Sequence, residues 1–295
     1  MAQVSAALVK QLRERTGAGM MDCKRALDAT DGDIDAAAEK MRIEGQAKAD
    51  KKAARVAAEG TVAAAIGADA VALVELNCET DFVAKGEAFK GFAQKLAERV
   101  LADRPVNVDA LLALDDAGET LDSRRRALVA KLGEKIDVRR FDVVESAGGA
   151  LGHYLHGTRI GVVVALAAGD AELAKDLAMH VAASRPRYVD EAQVPADAVE
   201  RERKVVEAQS AEQAQGKPPE IVKRMIEGRL RKFLAEITLV GQPFVKDPDQ
   251  SVGKLLKASK AQVARFVRYE VGEGIEKKQE DFASEVMAQA KASMG

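Results

Sequence analysis

The sequence predicts an α+β protein. Two related units, each a three-stranded sheet with an antiparallel hairpin packed on helices, are flanked by helical modules. Three observations carry that expectation. Ala is by far the commonest residue and Glu, Lys and Leu are plentiful, while aromatics make up only 4%, a composition that favours helix. Two stretches, EGTVAAAIGADAVALVELNC and GALGHYLHGTRIGVVVALAAG, read as pairs of apolar strands broken by glycine-containing turns, the hairpin pattern. Each hairpin is followed by a helical stretch that ends in Arg-Pro, at 104–105 and 185–186.

The bulk properties narrow the class. The 295 residues suffice for two or more domains, and 47% apolar with 31% charged residues describes a soluble globular chain. A net charge of −2 argues against direct nucleic-acid binding, which needs a basic surface to displace counterions. The first residues lack a basic segment followed by a long apolar one, so no signal peptide is expected. The longest apolar run, IGVVVALAAG, is too short to span a bilayer, so no membrane role is expected. Cys23 and Cys78 stand alone without a CxxC pattern, which suggests neither a zinc site nor a disulfide framework. A cytoplasmic location follows as the expectation.

Residues 1–45 read as three short helices. The first has apolar Val4, Ala7, Leu8 and Leu12 and a Thr-Gly-Ala-Gly stop; the third is capped by Asp31 or Asp33 and stops at Gly45. So small a module has a marginal core and is expected to lean on a partner. Residues 46–58 form a charged linker, itself compatible with helix. The first unit, 59–146, continues from its hairpin and helix through VDALLAL and LDSRRRALVAKLGE, both helical, to the strand IDVRRFDVVES. The second, 147–190 and 236–274, continues through the strand-like EITLVGQPFV and the short helix SVGKLLKAS to the strand QVARFVRYEVG. Between its two parts, 191–235 forms a projecting antiparallel helical hairpin, a coiled-coil-like arm in which Pro219 suits a helix start. Its Ile221, Met225, Ile226, Leu230 and Phe233 either pack on the facing helix or make a docking arm, with a homodimer through 191–235 among its uses. Residues 275–295 read as a C-terminal amphipathic helix.

The repeat singles out one segment. The helices align at an offset of 81, Phe92 with Leu173, Leu96 with Leu177, Ala97 with Ala178 and Val100 with Val181, whereas the hairpins align at 89 or 90. About eight extra residues, the CETDFVAKG region, therefore separate strand from helix in the first unit. Thr80 or Asp81 would cap the next helix, but a cap does not account for the extra length. Phe82 lies seven residues before Phe89, in helical phase with it, which allows a core position. The alternative is an exposed Phe with a carboxylate beside it, able to wedge apart another protein's packed elements.

Catalytic patterns are missing. The sequence holds no P-loop, H-E-x-x-H or G-x-S-x-G, and the G-x-G of VGEGIE lacks a third glycine. His153 and His156, three apart on a strand, fall on opposite faces and suit no shared metal. His180 occupies a helical position as a packed or surface residue. His156 adjoins the Gly157 turn, aligned with Ile66 of the first hairpin, and is either an ordinary turn residue or a contact at the tip. The expectation is a protein that is not an enzyme and needs neither cofactor nor metal.

Several longer stretches are characteristic together: LVKQLRERTGAGMMDCKRAL, VELNCETDFVAK, YLHGTRIGVVV, AMHVAAS, EGRLRKFLAEITLVGQPFV and RFVRYEVGEGIEKK. Through them the chain resembles bacterial elongation factor Ts along essentially its whole length. That family is the guanine-nucleotide exchange factor for elongation factor Tu, with a UBA-like N-terminal module, two related core subdomains, a helical arm and a C-terminal helix. The resemblance implies that Thr80, Asp81, Phe82 and Val83 act in dislodging Mg²⁺ from the GTPase, with Asp81 and Phe82 entering between helices of its nucleotide domain. It implies a GTPase contact for His156, and docking of the N-terminal module through Arg13, Met20 and Met21. The competing class is a scaffold that binds the GTPase without altering its nucleotide affinity.

Overall fold

A computed structural model of the chain describes residues 4–211 and 218–276. From residue 277 on, the expected C-terminal helix lies outside the described residues, as does most of the turn at the tip of the arm.

The chain begins with α1 (Ala6–Thr16), α2 (Met20–Asp28) and α3 (Ile34–Lys52). Ser5 caps α1 by accepting from Leu8 N at 3.2 Å, and Gly17 ends it in the left-handed region at φ 64°, its N–H on the Arg13 carbonyl. Asp33, rather than Asp31, caps α3: its Oδ1 accepts from the amides of Asp35 and Ala36. The core of this module is Val9, Leu12, Cys23, Ala26, Leu27 and Ala37, as small as its length dictates.

The first unit runs β1 (Glu59–Ile66), β2 (Ala70–Cys78), α4 (Asp81–Lys85), α5 (Glu87–Asp103), α6 (Val108–Leu112), α7 (Leu121–Leu132) and β3 (Ile136–Glu145), with β2 antiparallel to both neighbours. Here the expected helix stop at Gly45 is corrected: α3 passes through it into the supposed linker and ends at Lys52. A Cβ at Gly45 would lie 3.1 Å from that of Ala130, so this glycine lets α3 pack closely on α7 and does not cap it.

The second unit runs β4 (Leu151–His156), β5 (Ile160–Ala168), α8 (Ala171–Ser184), α9 (Ala196–Ala211), α10 (Pro219–Ile237), β6 (Pro243–Phe244), β7 (Asp247–Ser251), α11 (Val252–Ala258) and β8 (Gln262–Glu270). β5 is central, antiparallel to β4 and β8, while β6 and β7 form a small sheet of their own. The strand expected over EITLVGQPFV is mostly something else. Its start belongs to α10, Thr238 makes an isolated bridge to Tyr188, Leu239–Gly241 make a 3₁₀ turn, and only Pro243 and Phe244 form a strand. The chain doubles back so tightly that a Cβ at Gly241 would stand 2.5 Å from Ala235 Cα. The apolar run is a buried corner, with Leu239 fully enclosed.

Each sheet carries helices on one face and meets the other sheet with its opposite face. Phe89, Leu96 and Val100 of α5 cover the first sheet; Leu177, Ala178 and Val181 of α8 cover the second. Between the sheets, Val62, Ala64 and Leu73 pack against Val163, Ala165, Val267 and Tyr269. With both faces covered, every residue of β2 is buried, so VALVEL reads as a continuous apolar run instead of an alternating one. A Cβ at Gly161 would lie 2.5 Å from Val62 Cγ1, so the sheets approach this closely only because the residue is glycine. Buried Glu75 ties the layers together, accepting from Arg139 Nη1 at 3.0 Å, Arg140 Nε at 2.6 Å and Gly272 N at 2.8 Å. The Arg140 guanidinium lies 4.2 Å from the centre of the Tyr269 ring.

The repeat is visible in detail. Both central strands shift register at matching points, after Glu75 and after Ala165. Both α5 and α8 end in a left-handed arginine, Arg104 at φ 52° and Arg185 at φ 51°, each before a proline.

Candidate functional site

The two units differ where strand becomes helix. In the second, β5 ends at Ala168 and α8 begins at Ala171, with Asp170 capping it by accepting from Leu173 N at 2.8 Å. In the first, β2 ends at Cys78 and α5 begins only at Glu87, and the intervening residues form α4. The gap between strand and helix is six residues longer in the first unit, eight against two. With 17 residues against 14 for α8, α5 also starts three residues earlier relative to the matched arginines at the helix ends. The surplus is thus nine, close to the eight that the sequence offsets suggest.

Thr80, not Asp81, caps α4: its Oγ1 accepts from Val83 N at 3.4 Å. Asp81 occupies the first turn and pairs with Lys85, Oδ2 to Nζ at 2.5 Å. The Lys85 ammonium, by hydrogen bond and then by charge, holds the Asp81 carboxyl below the usual carboxylate range. Ala84 is buried and Val83 half-buried against the core of the first unit, so these two seat the helix. Phe82 points away and is 84% exposed, whereas Phe89 is 0% exposed. The helical phase shared by the two phenylalanines does not place both in the core. Gly86, extended at φ −68° and ψ 139°, separates α4 from α5 and resets the phase.

The segment before α4 is held from outside. Glu134, just after α7, accepts from Glu79 N at 3.1 Å, Thr80 N at 2.9 Å and Thr80 Oγ1 at 2.6 Å. Glu79 answers by accepting from Lys135 N at 2.6 Å and from Arg55 Nη1 at 3.2 Å. Cys78 Sγ donates to the Thr80 carbonyl at 3.1 Å. Burial, and after it the carboxylates of Glu134 and Glu59, push the Cys78 thiol up to about 12, so it is unreactive near neutrality.

Of the other sequence-selected residues, His156 comes to the same end of the molecule. Thr158 O accepts from Val62 N at 2.8 Å, and Arg159 Nη1 donates to Glu59 Oε2 at 2.7 Å. Glu59 faces Cys78 across the ladder, so the β4–β5 tip stands where β2 gives way to α4. His156 is exposed there, its Nδ1 3.2 Å from the Tyr154 hydroxyl. Ile66, its counterpart in the first hairpin, is exposed at the far end of β1. Arg13, Met20 and Met21 lie apart on α1 and α2; all three are exposed, Met20 at 59% and Met21 at 66%. They are carried by a module whose α3 rests on α7, and Arg55, just after α3, reaches Glu79.

His180 is a packed residue. It is fully buried; its Nδ1 accepts from Val245 N at 3.2 Å, which leaves Nε2 to donate to Gln242 Oε1 at 2.9 Å. Desolvation lowers its pKa and keeps it neutral. A cleft of about 800 Å³ lies between the N-terminal helices and α7, lined by Arg15, Asp22, Arg42, Glu119 and Lys131; both charge signs are mixed along it and no set of groups converges. Among the described residues, no group of three His, Cys, Asp or Glu side chains could hold a metal ion, and no helix is long and apolar enough to cross a membrane.

Sequence reading missed Glu134, Glu79 and Arg55 at this site. Glu134 is 54 residues from Thr80, a separation at which spacing carries no signal. Lys85 did carry one, since it stands four residues after Asp81 on a helical stretch.

The comparisons with known proteins agree with one another. A family model described as Elongation factor TS matches residues 79–273, a span that begins at Glu79 and includes α4. A protein named Elongation factor Ts from Thioalkalivibrio sulfidiphilus (strain HL-EbGR7) is 60% identical over 98% of this chain and 99% of its own length. Proteins of the same name from Methylococcus capsulatus (strain ATCC 33009 / NCIMB 11132 / Bath) and Legionella pneumophila (strain Paris) are 58% and 54% identical, over 98% and 99% of this chain and 99% and 100% of theirs.

Proposed function

The chain belongs to the elongation factor Ts family, and on that premise we propose that it binds elongation factor Tu loaded with GDP and promotes release of the GDP so that GTP can bind. The observation that carries this reading is Phe82, exposed at 84% on a short helix seated by Val83 and Ala84. A large apolar ring left in water at the end of a rigid two-sheet body is suited to insertion between packed elements of a partner.

An exchanger needs no bond-making chemistry. GTPases hold GDP through phosphate contacts and Mg²⁺, and nanomolar binding is worth about 12 kcal/mol. Mg²⁺ demands near-octahedral geometry, so a small displacement of its surroundings is costly. A protein that binds the nucleotide-free form more tightly than the loaded form must, by linkage, have its own affinity lowered by nucleotide to the same factor. In this proposal Phe82 supplies the wedge. Asp81 exchanges its Lys85 partner for donors on the GTPase. Thr80 and Val83 serve by shaping and seating α4, since their side chains are turned to the protein itself. His156, at the same end, and Arg13, Met20 and Met21, on the N-terminal module, add contacts beside it. The module of residues 1–45 would then dock on the GTPase together with the first unit.

The test is release of a fluorescent GDP analogue from elongation factor Tu at fixed Mg²⁺, with and without the protein. Strong acceleration is expected; tight binding with an unchanged release rate would establish the scaffold reading instead. Self-association through 191–235 is a separate proposal. It is supported by Val205 and Ile221, exposed on α9 and α10, and gel filtration of a chain lacking the arm tests it.

A further inference from the structure

We propose that Glu134 is a positioning residue for exchange, holding the start of α4 so that Phe82 is presented in one orientation; this rests on the reading of Phe82 as the wedge. The five residues of α4 form barely more than one turn, and a helix that short does not hold itself together. Its geometry must come from its cap and from what anchors the residues before it.

Glu134 supplies both. Its Oε2 accepts from two successive amides, Glu79 and Thr80, which fixes the direction in which the chain leaves β2. Its Oε1 accepts from the Thr80 hydroxyl at 2.6 Å. That hydroxyl has a single proton, and giving it to Glu134 turns a lone pair toward Val83 N, the capping contact of α4. The carboxylate therefore orients the cap as well as the backbone, and charge-assisted bonds of this kind are stronger than neutral ones. Gly133, left-handed at φ 78°, ends α7 and brings Glu134 to this place. Glu79 closes the arrangement from the other side through Lys135 N and Arg55. The Phe82 ring itself stands in solvent, 84% exposed, so Glu134 acts on the partner through the helix that carries it.

The experiment compares Glu134→Ala, Glu134→Gln and Phe82→Ala with the Phe82→Ala/Glu134→Ala double variant in the full chain. Two readouts are taken: amide hydrogen exchange over residues 79–84 in the free protein, and GDP release from elongation factor Tu at saturating exchanger. Glu134→Ala is expected to lose amide protection at Glu79, Thr80 and Val83. It should slow release about 10-fold or more at saturation, while the melting transition stays close to that of the parent. Glu134→Gln, which keeps one acceptor oxygen, should fall between. The double variant should be no slower than Phe82→Ala alone, the non-additivity of two residues acting as one unit. Unchanged protection in Glu134→Ala would overturn the proposal. So would an equal slowing in the Phe82→Ala background, which would mean that Glu134 acts apart from Phe82. Normal release by Phe82→Ala would overturn the wedge reading on which the proposal rests, while amide protection still decides whether Glu134 holds the turn. Should Glu134→Ala not fold, Glu134→Gln and Glu79→Gln are read by the same criteria.

Discussion

Phe82 and Phe89 sit seven residues apart and should respond to truncation in opposite ways. Phe82 is 84% exposed and Phe89 0%. Phe82→Ala is expected to change folding stability by less than about 0.5 kcal/mol, the usual range for a surface position. Its effect should appear in the complex. A Phe side chain offers about 200 Å², so roughly 170 Å² is still free to be covered. At about 25 cal/mol per Å², full coverage is worth around 4 kcal/mol. Ala keeps part of that surface, so the loss should be about 2–3 kcal/mol, or roughly 30- to 150-fold in catalysed GDP release. Phe89→Ala empties a site enclosed by Cys78, Ala93 and neighbouring core residues and should cost about 3–5 kcal/mol of folding free energy. Urea denaturation measures the first quantity and fluorescent-nucleotide release the second. The reasoning is refuted if Phe82→Ala unfolds at markedly lower urea, or if the folded variant releases GDP at the parental rate.

Three further outcomes follow from the same geometry. Gly161→Ala would push a methyl to within 2.5 Å of Val62 Cγ1 and force the sheets apart; a loss of about 1–3 kcal/mol is expected by urea denaturation. Glu75→Ala leaves Arg139, Arg140 and Gly272 N around a site without its carboxylate and should cost about 3 kcal/mol, with Glu75→Gln milder. His180 is held neutral, so the unfolded chain takes up its proton first. Stability is complete above the ordinary histidine value of 6.5 and falls as pH drops from there toward the lowered native value. Urea midpoints between pH 7 and 5 should show that slope, and His180→Asn should reduce it.

Much of the architecture was legible from local chemistry. The hairpins, the helices with their capping Ser, Thr, Asp and Asn residues, and the strands at 136–145 and 262–270 follow from short-range patterns that the backbone obeys wherever it is placed. The repeat was legible because the same core positions recur in α5 and α8. Two misreadings have one cause. Gly45 resembles a helix stop, and EITLVGQPFV resembles a strand, yet each is settled by a neighbour distant in sequence, Ala130 in one case and the Ser184 carbonyl that Gln242 Nε2 reaches in the other.

At the candidate site the division is sharper. The sequence by itself determined that the first unit carries a surplus between strand and helix, and that Asp81 and Phe82 lie within it. It left Phe82 undecided, because a period of 3.6 residues persists only while the helix does, and the break at Gly86 is a matter of backbone angles. Tertiary structure decided the rest. It turned Phe82 to solvent by burying Ala84 and half-burying Val83, brought the His156 tip to the same end through Arg159 and Glu59, and placed Glu134 over the Thr80 cap. Local propensities act over a few residues, whereas these contacts join segments tens of residues apart: the pairing of β2 with β3, which sets Ile136 opposite Cys78, brings Glu134 to Thr80, and the packing of the two sheets face to face brings the His156 tip to Glu59.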